Sequence, residues 1–244
     1  MPFQSLFTDH KQYRLFLWIG ASTLFNLLLL AGRLYHLEIN PFTLYWSGDY
    51  LQLRGEATLL FLVWNLFLAW IPYLITLRLH RLDQRYNSRI LTGLLLMTWL
   101  CFLPNAPYIL TDLIHLRARP GIPVWYDLMV ILSFAWTGLM LGYLSLNEVQ
   151  HFMQQRISRG LSWLLTVGII ALSGFGIFLG RFLRWNSWDV LTNPFQLFEE
   201  IISVLFNPAP YAHPLGISAL ITLFLLLGYL PFSTMMSRTE EKIF

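Results

Sequence analysis

The sequence predicts an all-α, polytopic transmembrane helix bundle of about six spans, forming a single integral-membrane domain over residues 1–244. Two observations carry this. Only 12% of the residues are charged and 56% are hydrophobic, with a mean hydropathy of +0.56; a water-soluble domain carries about 25% charged residues. Six stretches approach the roughly 20 apolar residues that a helix needs to cross a hydrocarbon core of about 30 Å. They are residues 15–34, 57–77, 90–110, 125–146, 161–182 and 215–232. Aromatic residues make up 16% of the chain, which suits headgroup-level belts of Trp and Tyr.

The first stretch follows Lys11 and Arg14, as the apolar core of a signal peptide would. It is too long for that, and Leu29-Leu30-Ala31 lacks the small-x-small cleavage pattern. It reads as a retained span. Asn26 and Asn65 fall inside the first and second spans, where amides serve as interhelical hydrogen-bonding groups.

The third span is unusual. Residues 90–103 would cover about 21 Å at 1.5 Å each, too little to cross. The chain must continue through Pro104-Asn105-Ala106-Pro107-Tyr108. Two prolines remove two backbone donors and push the residues before them away from helix. The span is therefore expected to break in its outer third, with Asn105 capping a second short helix begun by Pro107. Irregular backbone at that depth survives only inside protein or facing a water-filled cavity, so the motif points to a site. Beyond it, Tyr108, Thr111, Asp112 and His115 share one face at i, i+3, i+4 and i+7.

Asp127 opens the fourth span, where the helix dipole stabilises a carboxylate. Gly138-x-x-x-Gly142 there, and Gly176-x-x-x-Gly180 in the fifth span, permit close helix approach. Gly174-Phe175-Gly176 is no nucleotide fingerprint, since it follows no strand. The longest loop, 182–214, contains an outer amphipathic helix from Asn193-Pro194 to Phe206. Phe195, Phe198, Ile201, Ile202 and Leu205 form its apolar face, with Gln196, Glu199, Glu200 and Ser203 opposite.

Ten Lys and Arg fall on the side of the N-terminus, including Arg78, Arg81, Arg85, Arg89, Arg238 and Lys242. Six fall on the other: Arg33, Arg54, Arg117, Arg119, Arg181 and Arg184. The excess places both termini in the cytoplasm, as an even number of spans requires. The net charge of +3, without a basic run, excludes a nucleic-acid partner. Cys101 is the single cysteine, so no intramolecular disulfide forms and its expected role is that of a small buried hydrophobe.

Four strings resemble those of a bacterial integral-membrane family known as domain of unknown function 1361. They are Trp64-Asn65-Leu66-Phe67-Leu68-Ala69-Trp70-Ile71-Pro72-Tyr73; Leu103-Pro104-Asn105-Ala106-Pro107-Tyr108 continuing to Thr111-Asp112-Leu113-Ile114-His115-Leu116; Trp125-Tyr126-Asp127; and Gly180-Arg181-Phe182-Leu183-Arg184-Trp185-Asn186-Ser187-Trp188-Asp189. The resemblance implies a multi-pass protein of a bacterial plasma membrane, with no assigned activity and no established catalytic residues.

Under this topology Asp112, His115, Asp127, Arg181, Arg184, Asn186 and Asp189 gather at the outer face. With Asn105 and Tyr108 they form a candidate polar site. A purely structural reading pairs the loop arginines with Asp112 or Asp127 and stacks Arg181 on Trp185 and Arg184 on Trp188. A first functional reading makes Asp112 and His115 ligands of a divalent metal, completed by Asp127, Asp189 or His213. Such a metal would activate water for a hydrolase or transferase acting on a lipid-linked or periplasmic substrate. No HExxH or paired-cysteine pattern accompanies it. A second has Arg181 and Arg184 hold an anionic lipid or a small anion, as in a transporter with a broken helix. No pattern for a nucleotide, haem or flavin is present. The expected partner is the lipid bilayer; oligomeric state is not legible. The reading the sequence favours is a structural or accessory membrane protein with a polar site on its extracytoplasmic face.

Overall fold

The computed structural model describes residues 7, 10–37, 58–118 and 121–237. It is all-helical, with six helical stretches long and apolar enough to cross a membrane. In chain order the helices are α1 (His10–His36), α2 (Phe61–Tyr86), α3 (Arg89–Phe102), α4 (Asn105–Tyr108), a 3₁₀ helix (Ile109–His115), α5 (Val124–Gln154), α6 (Arg159–Phe182), α7 (Asp189–Thr192), α8 (Pro194–Phe206), a 3₁₀ turn (Ala209–Tyr211) and α9 (Ala212–Ser237).

Local chemistry sets the boundaries. Asn87 ends α2 in the left-handed region at φ 42°, which asparagine tolerates better than most residues. Ser88 then caps α3 by accepting from the Leu91 N–H at 3.4 Å. Ser158 does the same for α6 through Leu161 N–H. Pro194 stands in the first turn of α8, where its missing N–H is harmless. Phe195, Phe198, Leu205 and Phe206 of α8 are exposed, as an interfacial helix with its apolar face toward lipid requires.

Helix α5 is the axis of the bundle: 67% of its most apolar stretch is buried, against 17% for α1 and for α9. Val130, Ile131, Phe134 and Leu141 of α5 pack with Leu62, Ala69 and Ile109. Lipid tails are as apolar as leucine, so tight packing and interhelical hydrogen bonds must hold such a core. Several are present. Asn26 donates to Thr137 Oγ1 at 2.9 Å, and Ser22 shares a 2.7 Å hydrogen bond with the same hydroxyl. The indole of Trp70 donates to Thr23 at 3.1 Å, and Tyr143 donates to the Leu225 carbonyl at 2.9 Å.

The third span breaks where expected, with 14 residues in α3. It breaks differently in detail. Leu103, immediately before Pro104, keeps right-handed helical angles (φ −54°, ψ −40°), and Ala106, before Pro107, lies inside α4. The chain thus changes its hydrogen-bond pattern while both pre-proline residues stay helical. The Ala106 N–H returns to Leu103 O at 3.1 Å instead of to Phe102 O, and Tyr108 N–H reaches Pro104 O at 3.0 Å. Nor does Asn105 cap a helix at Pro107: α4 begins at Asn105 itself. Its side-chain amide donates to the orphaned Phe102 carbonyl at 2.9 Å and to Ser187 Oγ at 2.8 Å.

Both glycine pairs grip this break. A Cβ on Gly138 would lie 2.5 Å from the Ala106 carbonyl oxygen, and one on Gly142 3.2 Å from the Ala106 methyl. On the opposite side, a Cβ on Gly176 would meet Pro104 at 2.7 Å and one on Gly180 would meet the Tyr108 ring at 3.2 Å. Close contact with α5 and α6 holds both pre-proline residues in helical angles that an isolated chain avoids.

The spans overrun the apolar stretches. Arg33, Arg78, Arg81, Arg85 and Arg181 all belong to helices. Arg54, Arg119, Arg238 and Lys242 lie outside the described residues, as does the expected start of the second span at residue 57. At one end of the bundle Asp83 pairs with Arg156 and accepts from Thr92 at 2.7 Å, while Lys11 donates to the Met236 carbonyl at 3.1 Å. The other end carries the polar cluster around Arg181.

Candidate functional site

One guanidinium organises the site. Arg181 stands in the last turn of α6, where a cation complements the helix dipole. Its Nε donates to Thr111 Oγ1 at 2.9 Å, and one terminal nitrogen donates to the same hydroxyl at 2.6 Å. That nitrogen also pairs with Asp112 Oδ1. The other terminal nitrogen lies 3.2 Å from His115 Nε2. The guanidinium carbon sits 4.4 Å from the centre of the Tyr108 ring, within cation–π range. All four residues of the polar face therefore meet one arginine. The pairs Tyr108/Thr111 and Asp112/His115 stay aligned because a 3₁₀ helix has three residues per turn.

The remaining valences are filled locally. Asp112 Oδ2 accepts from Asn65 Nδ2 of α2 at 2.8 Å, and the carboxylate is 1% exposed. Thr111 donates its hydroxyl hydrogen to Tyr108 O at 2.6 Å. The guanidinium can only donate, so His115 Nε2 acts as acceptor and its hydrogen is assigned to Nδ1. Phe61 covers the imidazole edge-on, with ring centres 5.0 Å apart.

Asp127 belongs to a different pair. Arg33 Nε lies 2.6 Å from Asp127 Oδ1, and Arg33 Nη2 3.2 Å from Oδ2. The geometry is bidentate, with the two side chains 0% and 1% exposed. The expected pairing of Asp127 with a loop arginine is thereby replaced by one with the first span.

The loop after α6 also departs from expectation. Arg181 stacks on Tyr108, not on Trp185, whose indole N–H donates to Glu200 of α8. Arg184 takes a left-handed φ of 64° and exposes its side chain; its stacking on Trp188 is absent among the described residues, and Trp188 instead meets Trp64 edge-on. Asp189 accepts from the Asn186 backbone at 2.7 Å, from the Asn186 amide at 3.3 Å and from Thr192 at 3.1 Å. Asn186 and Asp189 thus hold the turn into α7. His213 is exposed at the start of α9. Among the described residues no three His, Cys, Asp or Glu side chains come together as a metal-holding group.

Beside the arginine lies a cavity of about 170 Å³. Trp64, Asn65, Asn105, Tyr108, Ser187 and Trp188 contribute to its wall, and no charged side chain does.

The model of a family of proteins of unknown function, DUF1361, matches residues 64–228, about two thirds of the chain. The chain belongs to the DUF1361 family. No curated protein and no solved structure matches it. The DUF1361 match takes in the Arg181 cluster and the whole cavity wall, whereas α1, with Arg33, lies outside it.

The structure gives partners to two further residues. Asn65 makes the interhelical hydrogen bond expected of a mid-span amide, and its partner is Asp112. Arg33, at the end of the first apolar stretch, is the partner of Asp127. The signal for the second was present: an arginine inside an apolar run needs an acid, and Asp127 is the acid in the first turn of the fourth span.

Proposed function

We propose that this DUF1361 protein is a structural or accessory component of a bacterial plasma membrane, one integral-membrane domain with both termini cytoplasmic and its polar site on the extracytoplasmic face. The observation that carries the reading is the engagement of Arg181 by Thr111, Asp112 and His115, with Tyr108 beneath it. An arginine that grips a phosphate or carboxylate must offer it donors. Here all three guanidinium nitrogens already have protein partners. A metal held by Asp112 and His115 would have to stand where that cation stands. Both the metal-hydrolase and the anion-transport readings therefore begin by breaking a buried ion pair, which is strongly destabilising. The cluster acts as a lock, tying α6 and α2 to the 3₁₀ helix that ends the broken span.

Unfolding of the purified protein in detergent tests this, with inorganic phosphate, Zn²⁺ and an anionic lipid added separately. A site ligand at about 100 times its Kd adds about 2.7 kcal/mol of stability. The expected result is an unchanged midpoint with each addition. Stabilisation by phosphate that disappears in Arg181→Ala, or by Zn²⁺ that disappears in His115→Ala, would overturn the accessory reading.

Orientation rests on the excess of Lys and Arg on the side of the N-terminus and is tested by reporter fusions. Fusions after Asn193 are expected to report export, and fusions after Arg85 retention. A clean inversion would move the lock to the cytoplasmic face while leaving its chemistry intact.

A further inference from the structure

We infer that the cavity beside Arg181 binds a neutral, polyhydroxylated group: a sugar ring, carried on a lipid headgroup or free. This goes beyond the accessory role proposed above and does not depend on it.

The wall of the cavity combines two kinds of group. Trp64, Trp188 and Tyr108 supply aromatic surface. Asn105, Asn186 and Ser187 supply neutral hydrogen-bonding atoms. Both bonds of the Asn105 side chain run from its amide nitrogen, which leaves its carbonyl oxygen without a partner among the described residues. Ser187 Oγ accepts from Asn105 and keeps its own hydrogen to donate. Asn186 is exposed, and its bond to Asp189 likewise runs from nitrogen.

The chemistry of the wall selects the occupant. An anion would find no counter-charge in the wall, which contains no charged side chain, and Arg181, which lies against Tyr108, is neutralised by Asp112. An alkyl chain would bury the amides and the hydroxyl with nothing to satisfy them, which is costly. A sugar ring presents apolar C–H faces to aromatic rings and hydroxyls to amides, matching both halves of the wall. A cavity of about 170 Å³ holds several waters or one such ring. Its location also fits. The loop that forms one wall leads into α8, whose exposed phenylalanines mark headgroup depth.

The test uses the full chain in phosphatidylcholine nanodiscs and reads intrinsic tryptophan fluorescence. The probes are a monoglucosyl diacylglycerol placed in the disc, maltose added to solution, and phosphatidylglycerol as a charged control. A saturable change is expected with a glucosyl probe and none with phosphatidylglycerol. Response to the glycolipid alone assigns a lipid-linked sugar; response to maltose as well assigns the sugar itself. Trp188→Ala is expected to raise the apparent Kd at least about tenfold. Val190→Trp, at a position 41% exposed on the cavity wall, fills the space without disturbing the core and is expected to abolish the response. If Trp188→Ala does not fold, Val190→Trp decides alone. No saturable change with either sugar probe, an equal change with phosphatidylglycerol, or a response undiminished in Val190→Trp would overturn the inference. Silence with both sugar probes, or a response undiminished in Val190→Trp, leaves the phosphate, Zn²⁺ and anionic-lipid measurements untouched, so the two proposals fail separately.

Discussion

Arg33→Ala is expected to destabilise the protein by about 3–5 kcal/mol, the cost of breaking a buried ion pair by removing one partner. The structural ground is burial. Both side chains are at most 1% exposed and are joined by two hydrogen bonds, so the remaining carboxylate is left charged in a low-dielectric interior. Asp127→Ala leaves a buried guanidinium and is expected to cost a similar amount. Against a typical total stability of about 5–15 kcal/mol, either change should sharply lower the yield of folded protein. The double variant Arg33→Met, Asp127→Leu removes both charges while keeping volume, and should recover most of the loss. Unfolding in detergent checks all three. If Arg33→Ala shifts stability by less than about 0.5 kcal/mol, as an ordinary surface change does, the pair is not the anchor of α1.

Arg181→Ala is expected to cost about 3–5 kcal/mol for the same reason, although its environment differs. Asp112 is 1% exposed and would keep Asn65 as its hydrogen-bond donor among the described residues. Thr111 Oγ1 would lose two donors at once. Arg181→Lys should recover only part of the loss. A lysine ammonium can pair with Asp112, but it lacks the planar fork that reaches Thr111 and His115 together. Asp112→Ala is the milder change, since Arg181 would keep Thr111, His115 and the Tyr108 ring.

The sequence made the spans, the break and α8 legible because each is written in local chemistry. Apolar runs of membrane length, two prolines three residues apart and an Asn-Pro before an amphipathic pattern act over a few residues. The face of Tyr108, Thr111, Asp112 and His115 was legible for the same reason: its spacing is a property of one helix. The partners of that face were not. That Arg181 meets it, while Asp127 meets Arg33 across 94 positions, depends on how α1, α5 and α6 sit together, and nothing local encodes that. The backbone at Pro104 shows the opposite error. Local rules predicted an excursion from helical angles, and tertiary contact with Gly138 and Gly176 overrode them. Asp189 was legible as polar and outer, but its role in holding the turn depends on loop geometry.

The central claim is that Arg181 and Asp112 form an internal lock rather than two halves of a ligand site. A double-mutant cycle tests it most directly: wild type, Arg181→Ala, Asp112→Ala and the double variant, unfolded in the same detergent without added ligand. Groups in one buried network couple by about 0.5–3 kcal/mol, whereas independent sites add within about 0.3–0.5 kcal/mol. The lock predicts a coupling near the upper end of that range, with the double variant more stable than the sum of the single losses allows. Additive losses, with neither single change costing more than about 0.5 kcal/mol, would contradict it.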